Sequence, residues 1–538
     1  MSVLTPASAP VPARSPQLAG TGTLLRLALR RDRIVLPVWV LVLGLVVSSG
    51  AGTVEGLYGT AAERAQVAGT MSANGSLRAL YGPVFDSSVG GLVAWRLGGF
   101  VALMAGAMSL VVVVRHTREE EETGRQELLS SAVVGRRAPL AAALLTALVA
   151  DTALVLLTFG GLASATGDTA GALALGLGIG ATGMFFAGVA AVTAQLSESA
   201  RLAKGLAAAV LGASFVLRAA GDAATADASS ALNWISPLGW TENIRPYAAE
   251  RWWVLLLLLA GAALLAVAAQ LLAARRDIGM SFLPARPGPA AGRLSSAYGL
   301  ALRLQRGNLA AWTVAFLLCG LLFGGMTDGV SDLLGGSART AEIFQRLGGK
   351  QGLSEAFLAA MVGLLGMVAA LYVVGSVLRL HGEETSGRAE PVLAGAVGRL
   401  RWAAGHLAVA FGGTVLVLLA GGLGLALGYG EGFAPVLGAC LVQVPAVWAL
   451  GGLAVLLYGF VPALAQAAWG LTGLCLAVGW IGPLTGAPDA LLRISPFGHL
   501  PKLPGAGMEW TPVTVLLGLA VALVGAGLAG LRRRDVTG

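Results

Sequence analysis

Long apolar runs recur from one end of the chain to the other, and they restrict the folds that the chain can adopt. A helix needs roughly 20 apolar residues to cross the ~30 Å hydrocarbon core of a bilayer, and several runs reach that length. None of the runs shows the alternating pattern of a membrane-barrel strand. Only 12% of the residues are charged, against about a quarter in soluble proteins. The sequence therefore predicts an all-α, polytopic membrane protein.

Twelve spans are predicted, and eleven to thirteen are allowed because boundaries read from sequence shift by about two to four residues. The fifth run is the shortest and has Arg218 at its end. The predicted spans are 34–52, 95–114, 139–163, 171–195, 204–219 and 252–273 in the first half, and 309–326, 355–378, 403–428, 433–459, 464–485 and 512–531 in the second.

The distribution of basic residues predicts the orientation. With a cytoplasmic N-terminus and twelve spans, most of the 36 Lys and Arg residues lie in internal segments, as the positive-inside rule requires. Residues 1–20 are rich in Pro, Ala and Ser and lack the apolar core of a signal peptide, so we expect a disordered cytoplasmic tail. Both termini are thus expected in the cytoplasm. Charges held at the membrane edge give little support to a nucleic-acid partner.

The three cysteines, Cys319, Cys440 and Cys475, fall inside predicted spans, without a CxxC pair or a histidine at metal-ligand spacing. Cysteines in such surroundings behave as small hydrophobic residues. We expect neither a disulfide nor a bound metal ion.

The two halves of the chain resemble each other at a spacing of about 260 to 270 residues, which indicates an internal repeat. LALRRDRIVLPVWV at 27–40 resembles LALRLQRGNLAAWTV at 300–314, and ISPLGW at 235–240 resembles ISPFGH at 494–499. The Leu and Arg residues before each first span predict a helix in the inner interface, or a basic flank that only fixes topology. Six spans per half give both halves the same orientation, as in parallel repeats. We predict a first six-helix repeat at 21–274, a cytoplasmic linker at 275–299 and a second repeat at 300–538.

A charged island at 120–136, between the second and third predicted spans, returns at 383–399. The two stretches align without a gap, and eight of their seventeen positions are identical. A loop that only fixed topology would need basic residues alone, whereas both copies keep Glu-Glu, Gly-Arg, Glu and a final Gly-Arg at the same spacing. The other interpretation is a solvated cap on a tight cytoplasmic loop.

In the first copy, GRQELLSSAVVGR predicts a short helix with Leu128, Leu129, Ala132 and Val133 near one face. A short helix with one apolar face and charged edges is typical of a docking surface. We therefore predict a partner interface at each copy. Its candidate residues are Glu120, Glu121, Gly124, Arg125, Glu127 and Arg136 in the first copy, and Glu383, Glu384, Gly387, Arg388, Glu390 and Arg399 in the second.

Two polar residues lie inside predicted spans. Asp151 is near the middle of the third span, where a carboxyl group must face protein, water or a hydrogen-bond donor. It is a candidate for the substrate pathway, and a structural hydrogen bond to a neighbouring helix is an equal alternative. Gln443 is a weaker candidate, because an uncharged amide often serves to join helices.

The chain shows no site for ATP hydrolysis. A nucleotide-binding subunit needs GxxxxGK[ST], whose backbone amides and Lys hold phosphate groups. The nearest sequence, GGKQG at 348–352, lacks the Ser or Thr that binds magnesium. GxSxG and HExxH are absent too, and the four histidines are dispersed. We expect no catalytic residues and no cofactor in this chain.

EExxGRxE followed by VGR, between the second and third spans of a six-span unit, resembles the signature of ABC-2-type transporter permeases. The repeated form, with ISPLGWTENIRP before the sixth span and ISPFGHLPKLPG before the twelfth, is similar to the actinobacterial family of polyketide-antibiotic and multidrug exporters. The resemblance implies that each repeated loop carries a coupling helix that fits a groove on a separate ATPase. Two loops imply two copies of that subunit, which would bind ATP and magnesium.

The same resemblance implies outward movement of a lipophilic drug-like substrate across the bacterial cytoplasmic membrane, by alternating access. It also implies short re-entrant helices that close the outer end of the pathway, with ordinary turns as the alternative. The residues concerned are Ser236, Pro237 and Gly239 in the first half, and Ser495, Pro496 and Gly498 in the second.

The second copy departs from the pattern, since Pro391 replaces Leu128 and Thr385 replaces Glu122, so the two docking surfaces are expected to be unequal. Three other functions stay open. An ion-coupled secondary transporter also has twelve helices in two parallel halves, but Asp151 is the only clear central acid. The others are a lipid-handling ABC permease and a scaffold or sensor, which would not explain the repeated loop.

Overall fold

The computed structural model describes residues 17–130, 134–277, 279–283, 292, 294–334, 352–485 and 492–535. Within them the secondary structure is helical, apart from an isolated bridge between Ser197 and Leu283. The chain divides into two compact units, Met1–Pro287 and Gly288–Gly538. Their boundary falls inside the stretch predicted as a linker, while the limits of the two repeats stay a prediction.

Unit one (Met1–Pro287) begins with a short amphipathic helix and continues through six long helices joined by shorter ones. A π-helical turn, Ala94–Gly98, links the two helices that form the second span. The helices are α1 (Thr21–Arg31), α2 (Val35–Leu57), α3 (Ala61–Ala73), α4 (Gly75–Tyr81), α5 (Val89–Val93), α6 (Gly99–Arg115), α7 (Arg118–Glu122), α8 (Arg125–Ser130), α9 (Ala138–Thr166), α10 (Thr169–Leu196), α11 (Ala200–Ala224), α12 (Ala231–Ile235), α13 (Pro237–Asn243) and α14 (Trp252–Arg275).

Unit two (Gly288–Gly538) contains fewer short helices among its described residues. Its α-helices are α15 (Ala297–Leu334), α16 (Leu353–Thr385), α17 (Glu390–Leu393), α18 (Arg399–Tyr429), α19 (Phe433–Val442), α20 (Val444–Phe460), α21 (Ala467–Thr485) and α22 (Trp510–Arg533), and its 3-10 turns are Pro462–Leu464 and Pro496–His499. The span predicted at 433–459 is divided at Gln443, since Pro445 in the first turn of α20 lacks the N–H that a continuous helix would use.

Eleven helical segments of the described chain are long and apolar enough to cross a bilayer, so the protein is an all-α, polytopic membrane protein. The fifth predicted span is α11, which at 25 residues is longer than its apolar run. The predicted span at 464–485 corresponds to α21, whose described apolar stretch, Ala467–Trp480, is shorter. The count lies within the range that the sequence allows.

The two units begin differently. In unit one, α1 is a separate helix, and a turn at residues 32–34 divides it from α2. In unit two, α15 runs without interruption through both the predicted interfacial segment and the first span. Pro37, where the aligned second half has Ala310, lies in the first turn of α2 and cannot continue a helix that started at Thr21.

Small residues allow the long helices to approach closely. In unit two, a Cβ atom on Gly424 of α18 would lie 2.1 Å from the carbonyl oxygen of Leu317 in α15. A Cβ on Gly428 would lie 2.2 Å from the carbonyl oxygen of Leu321. The backbones of α15 and α18 are therefore in direct contact, as in small-residue packing of membrane helices.

Candidate functional site

The repeated loop has the same turn in both units. In unit one, α7 and α8 flank Gly124, and in unit two, α16 and α17 flank Gly387. The φ angles of these two glycines are +70° and +68°, a left-handed conformation that costs other residues about 1–2 kcal/mol. This turn explains why both copies keep glycine at this position. It also fixes how the charged residues on either side face each other.

The predicted helix after the turn is present as α8 in the first copy. Ala132 and Val133 lie outside the described residues, as do the side chains of Leu128 and Leu129, so the proposed apolar face stays a prediction. In the second copy the helix is only four residues long, and Pro391 lies in its first turn.

The acidic run before the turn forms a helix of its own, α7, and its four carboxylates have partners within unit one. Glu120 binds Arg31 of α1 and, at 3.3 Å, Arg125. The remaining contacts are Glu119 with Lys204, Glu121 with Arg118 and Arg276, and Glu122 with the backbone N–H of Ala200. The run therefore ties the loop to the rest of the unit.

Glu121 is held by the arginine that follows the last long helix of unit one. The Arg276 guanidinium donates from Nη2 to Glu121 Oε1 at 2.6 Å and from Nη1 to Oε2 at 2.8 Å. Its Nε donates to Gln195 Oε1 at 2.7 Å. Arg136, at the end of the repeated motif, donates to the Arg276 carbonyl oxygen at 2.6 Å. We call Glu121, Gln195, Arg136 and Arg276 the first clasp.

Unit two contains the same arrangement. Arg534, just after α22, donates to Glu384 through Nη1 at 2.6 Å and Nη2 at 2.7 Å. Arg399 donates to the Arg534 carbonyl oxygen at 2.6 Å, and the Tyr458 hydroxyl donates to Glu384. The hydrogen bonds to Glu384 raise the pKa of Arg534, so the guanidinium stays charged at physiological pH. These four residues are the second clasp.

Three of the four residues of each clasp correspond to each other in sequence. The offset between the two ungapped copies of the motif also separates three pairs of clasp residues, which are Glu121 and Glu384, Arg136 and Arg399, and Gln195 and Tyr458. The sequence predicted a role for the glutamates and for Arg136 and Arg399, but missed the other members. A signal was present, because an Arg-Arg-Asp tripeptide begins at the final residue of the last helix of each unit, at 275–277 and at 533–535.

Exposure divides the candidate residues into two groups. The Glu121 and Glu384 side chains are only 6% and 2% exposed, so they face inward to the clasps. Arg125 and Arg388 are 52% and 58% exposed, and Glu127 and Glu390 are exposed too. Glu383 is buried between Arg379 and Arg388, each at 3.0 Å. A partner could therefore reach the residues just after each glycine turn, while the clasps position them.

Asp151 is enclosed in unit one, with 1% of its surface exposed. Ser109 of α6 donates to its Oδ2 at 2.9 Å. Its carboxyl group also lies against Gly183 of α10, where a Cβ atom would come within 2.3 Å of Oδ1. This geometry is that of a hydrogen bond joining neighbouring helices, and a role for Asp151 in the substrate pathway stays a prediction.

Gln443 occupies the break between α19 and α20 and is 6% exposed. Its side chain lies against Gly366 of α16, where a Cβ atom would be 2.6 Å from Oε1. The contact places Gln443 in the helix packing of unit two, and its role in transport also remains a prediction.

The two ISP motifs open a short α-helix in unit one and a 3-10 turn in unit two. Ser236 caps α13 by accepting a hydrogen bond from Gly239 N at 3.3 Å, and Pro237 is the first helical residue. In unit two, Pro496 and Gly498 lie in a 3-10 turn, and Ser495 is buried beside it. Their role as an outer gate is not decided by this geometry.

The long apolar helices define a multi-pass membrane protein. A family model described as "Multidrug efflux system permease Rv1217c, C-terminal domain" matches residues 22–273 and 294–532. The multidrug efflux system permease protein Rv1217c of Mycobacterium tuberculosis (strain ATCC 25618 / H37Rv) is 44% identical over 541 residues, covering 99% of this chain and 98% of that protein. The chain belongs to this family of multidrug efflux system permeases.

Proposed function

We propose that the chain is the membrane-spanning subunit of an ABC-2-type exporter that moves lipophilic drug-like molecules outward across the bacterial cytoplasmic membrane. The similarity to a multidrug efflux permease supports the substrate class. A separate ATPase would supply the energy, with ATP and magnesium bound on that subunit. Two copies of it would bind, one at each repeated loop, and no nucleic acid would be involved.

The observation that carries the proposal is the repetition of a rigid charged loop. Each copy has a left-handed glycine turn, a clasp that fixes the preceding glutamate, and exposed charged residues immediately after the turn. Charges that are held in place and left accessible favour a specific partner, because complementary charges fix the register of an interface. Membrane lipids surround the spans and do not require such a loop.

In the proposed mechanism, ATP-driven closure of the two ATPase subunits moves the two loops. Each clasp would pass that movement to the last helix of its own unit, since Arg276 follows α14 and Arg534 follows α22. The two units would then alternate between inward-open and outward-open arrangements, which is the general scheme for transporters built from repeats.

Co-purification with an ATPase encoded beside the gene tests this function. We expect a stable complex, and ATP-driven uptake of a lipophilic dye into inverted vesicles whose ion gradients are abolished by ionophores. Uptake that needs an ion gradient and no ATP would show a secondary transporter instead. Movement of a fluorescent phospholipid, without dye transport, would favour the lipid-handling alternative.

Charge reversal at the exposed residues tests the docking surface. The double variant Arg125→Glu with Arg388→Glu should abolish co-purification of the ATPase at normal expression. Arg303→Glu, an exposed arginine of α15 outside both repeated stretches, is the matched control and should leave the complex intact. Binding that survives the double variant would refute docking at these loops. A second double variant, in which Glu127 and Glu390 are both changed to Lys, tests the same surface independently.

A further inference from the structure

The acidic run of unit one makes two contacts that the second copy lacks. Lys204 Nζ binds Glu119, and the backbone N–H of Ala200 donates to Glu122 Oε1 at 2.7 Å. Ala200 and Lys204 belong to the first turns of α11, where a carboxylate satisfies a free N–H and interacts well with the helix dipole. The first loop is therefore fixed to the start of α11.

Unit two cannot make these contacts, because its residues lack the groups. At the same spacing, Gly382 replaces Glu119 and Thr385 replaces Glu122. The Thr385 hydroxyl instead donates to the His381 carbonyl oxygen of its own helix at 2.9 Å. The start of the matching helix, AQAAWGL at 465–471, contains no Lys or Arg. The link between the loop and the fifth span is thus particular to unit one.

The far end of α11 carries a buried charged cluster. The Arg218 side chain is 4% exposed and donates from Nη2 to the carbonyl oxygens of Ala79 and Leu80, both at 3.0 Å. Its Nη1 lies 3.3 Å from Asp222 Oδ2, and Asn233 donates to Asp222 Oδ1 at 2.5 Å. Buried charges are tolerated only when they are paired in this way. In unit two, α21 contains no ionisable residue of the Asp, Glu, Lys, Arg or His type.

The same end of α11 is bonded to the segment predicted as the outer gate. Ser236 Oγ donates to the carbonyl oxygen of Ser214 in α11 at 2.6 Å. Glu242 at the end of α13 places Oε2 3.9 Å from Arg218 Nη1. A cavity of about 50 Å³, lined in part by Tyr81, Trp95, Arg218 and Glu242, lies beside these groups. The α12–α13 segment, Ala231–Asn243, is therefore attached to α11 through side chains on both of its helices.

We infer that α11 transmits movement of the first loop to the α12–α13 segment, through polar side-chain contacts that have no counterpart among the described residues of unit two. Glu119, Glu122 and Lys204 are the positioning residues at one end, and Arg218, Asp222, Asn233 and Ser236 hold the other. A helix of 25 residues spans roughly 37 Å and behaves as a rigid rod over that length. The inference rests on the proposed function, since the first loop must be where the ATPase acts.

Two matched positions allow the inference to be tested by cysteine labelling. Ile235 and Ile494 both precede the serine of an ISP motif, and they are 64% and 54% exposed. Each is changed to Cys, separately, in a chain whose three native cysteines are replaced by Ala. The complex with the ATPase is placed in lipid nanodiscs, and the rate of reaction with a small maleimide is compared without nucleotide and with ATP, magnesium and vanadate.

We expect the labelling rate at position 235 to change by about fivefold or more with ATP, a typical size for coupling between distant sites. Glu122→Gln with Lys204→Ala should abolish that change, while the ATP response at position 494 persists in the same background. The exchange Glu119→Lys with Lys204→Glu should restore the response at position 235, which a general folding defect would not allow.

Persistence of the ATP response at position 235 in the Glu122→Gln, Lys204→Ala chain would overturn the inference. So would a parent complex that shows no response there. Failure of the proposed function is separate and visible earlier, because in that case the ATPase does not co-purify with the parent chain and labelling is never reached.

Discussion

At the scale of single residues, the clasps contain buried ion pairs whose partners come from distant parts of the chain. Arg276 and Glu121 are 8% and 6% exposed and share two short hydrogen bonds. A buried pair of this kind contributes little on average, but removal of Arg276 leaves the buried Glu121 carboxylate with Arg118 as its remaining arginine partner. Substitution of one member is therefore the informative experiment.

We predict that Arg276→Ala lowers the stability of the purified protein by about 1–3 kcal/mol, the cost typical of losing hydrogen bonds to a buried charged group. The midpoint of thermal unfolding in detergent measures the effect. Arg275→Ala, one residue earlier and exposed, is the control and should change the midpoint little. Equal decreases for the two variants would show that the clasp has no special contribution.

The glycine turn gives a second prediction. Gly387→Ala should lower the unfolding midpoint, because φ is +68° there and a Cβ atom in that conformation costs about 1–2 kcal/mol. Steric overlap is not the cause of the decrease, since nothing lies within 4 Å of the added Cβ atom. Gly382→Ala, also with open space but within α16, should leave the midpoint unchanged or raise it slightly. A neutral Gly387→Ala would contradict this explanation of the repeated glycine.

Substitution of Asp151 distinguishes two roles for this residue that the sequence left open. If its role is the hydrogen bond with Ser109, the amide of Asp151→Asn can replace the carboxylate, and we predict unchanged dye export at normal expression. Loss of export, with normal expression and an unchanged unfolding midpoint, would instead favour a role in the substrate pathway. Ser109→Ala should reproduce any effect that arises from the hydrogen bond alone.

At the scale of elements, the positions of the membrane spans were predictable from the sequence, but the breaks between helices were less so. Hydropathy is a local property, so the long apolar helices follow directly from composition. The break of a span at Gln443 depends on Pro445, which sequence analysis treated as part of a continuous run. In unit two the predicted interfacial segment and the first span form one helix, α15. The clasps could not be derived from the motif alone, because Glu121 and Arg276 are 155 positions apart and meet only through the packing of unit one.

Helix packing in unit two supplies the element-scale prediction. Gly424→Ala should force α15 and α18 apart, because its Cβ would lie 2.1 Å from a backbone oxygen that cannot move independently. Overpacking of this kind costs about 1–3 kcal/mol. Gly412→Ala, on the same helix but with nothing within 4 Å, is the matched control. An unfolding midpoint unaffected by Gly424→Ala would show that the two helices are not in direct backbone contact.

At the scale of the whole molecule, the two copies of the repeated loop predict the composition of the complex. Native mass spectrometry should find one copy of this chain with two copies of the ATPase. Arg125→Glu alone or Arg388→Glu alone should leave one ATPase bound, because each variant alters only one loop. A parent complex with a single ATPase, or loss of both subunits from either single variant, would contradict two independent docking surfaces.

The clasps also bear on how the protein is made. A nascent chain exposes Glu121 long before Arg276 is synthesised, and Glu384 precedes Arg534 by 150 positions. Until the last helix of a unit has been inserted, the acidic side chain of its loop has no clasp arginine to bind. Each unit is therefore completed by its final helix. A ribosome-stalled chain that ends before α14 should present the first loop in an open form, accessible to proteases and chaperones.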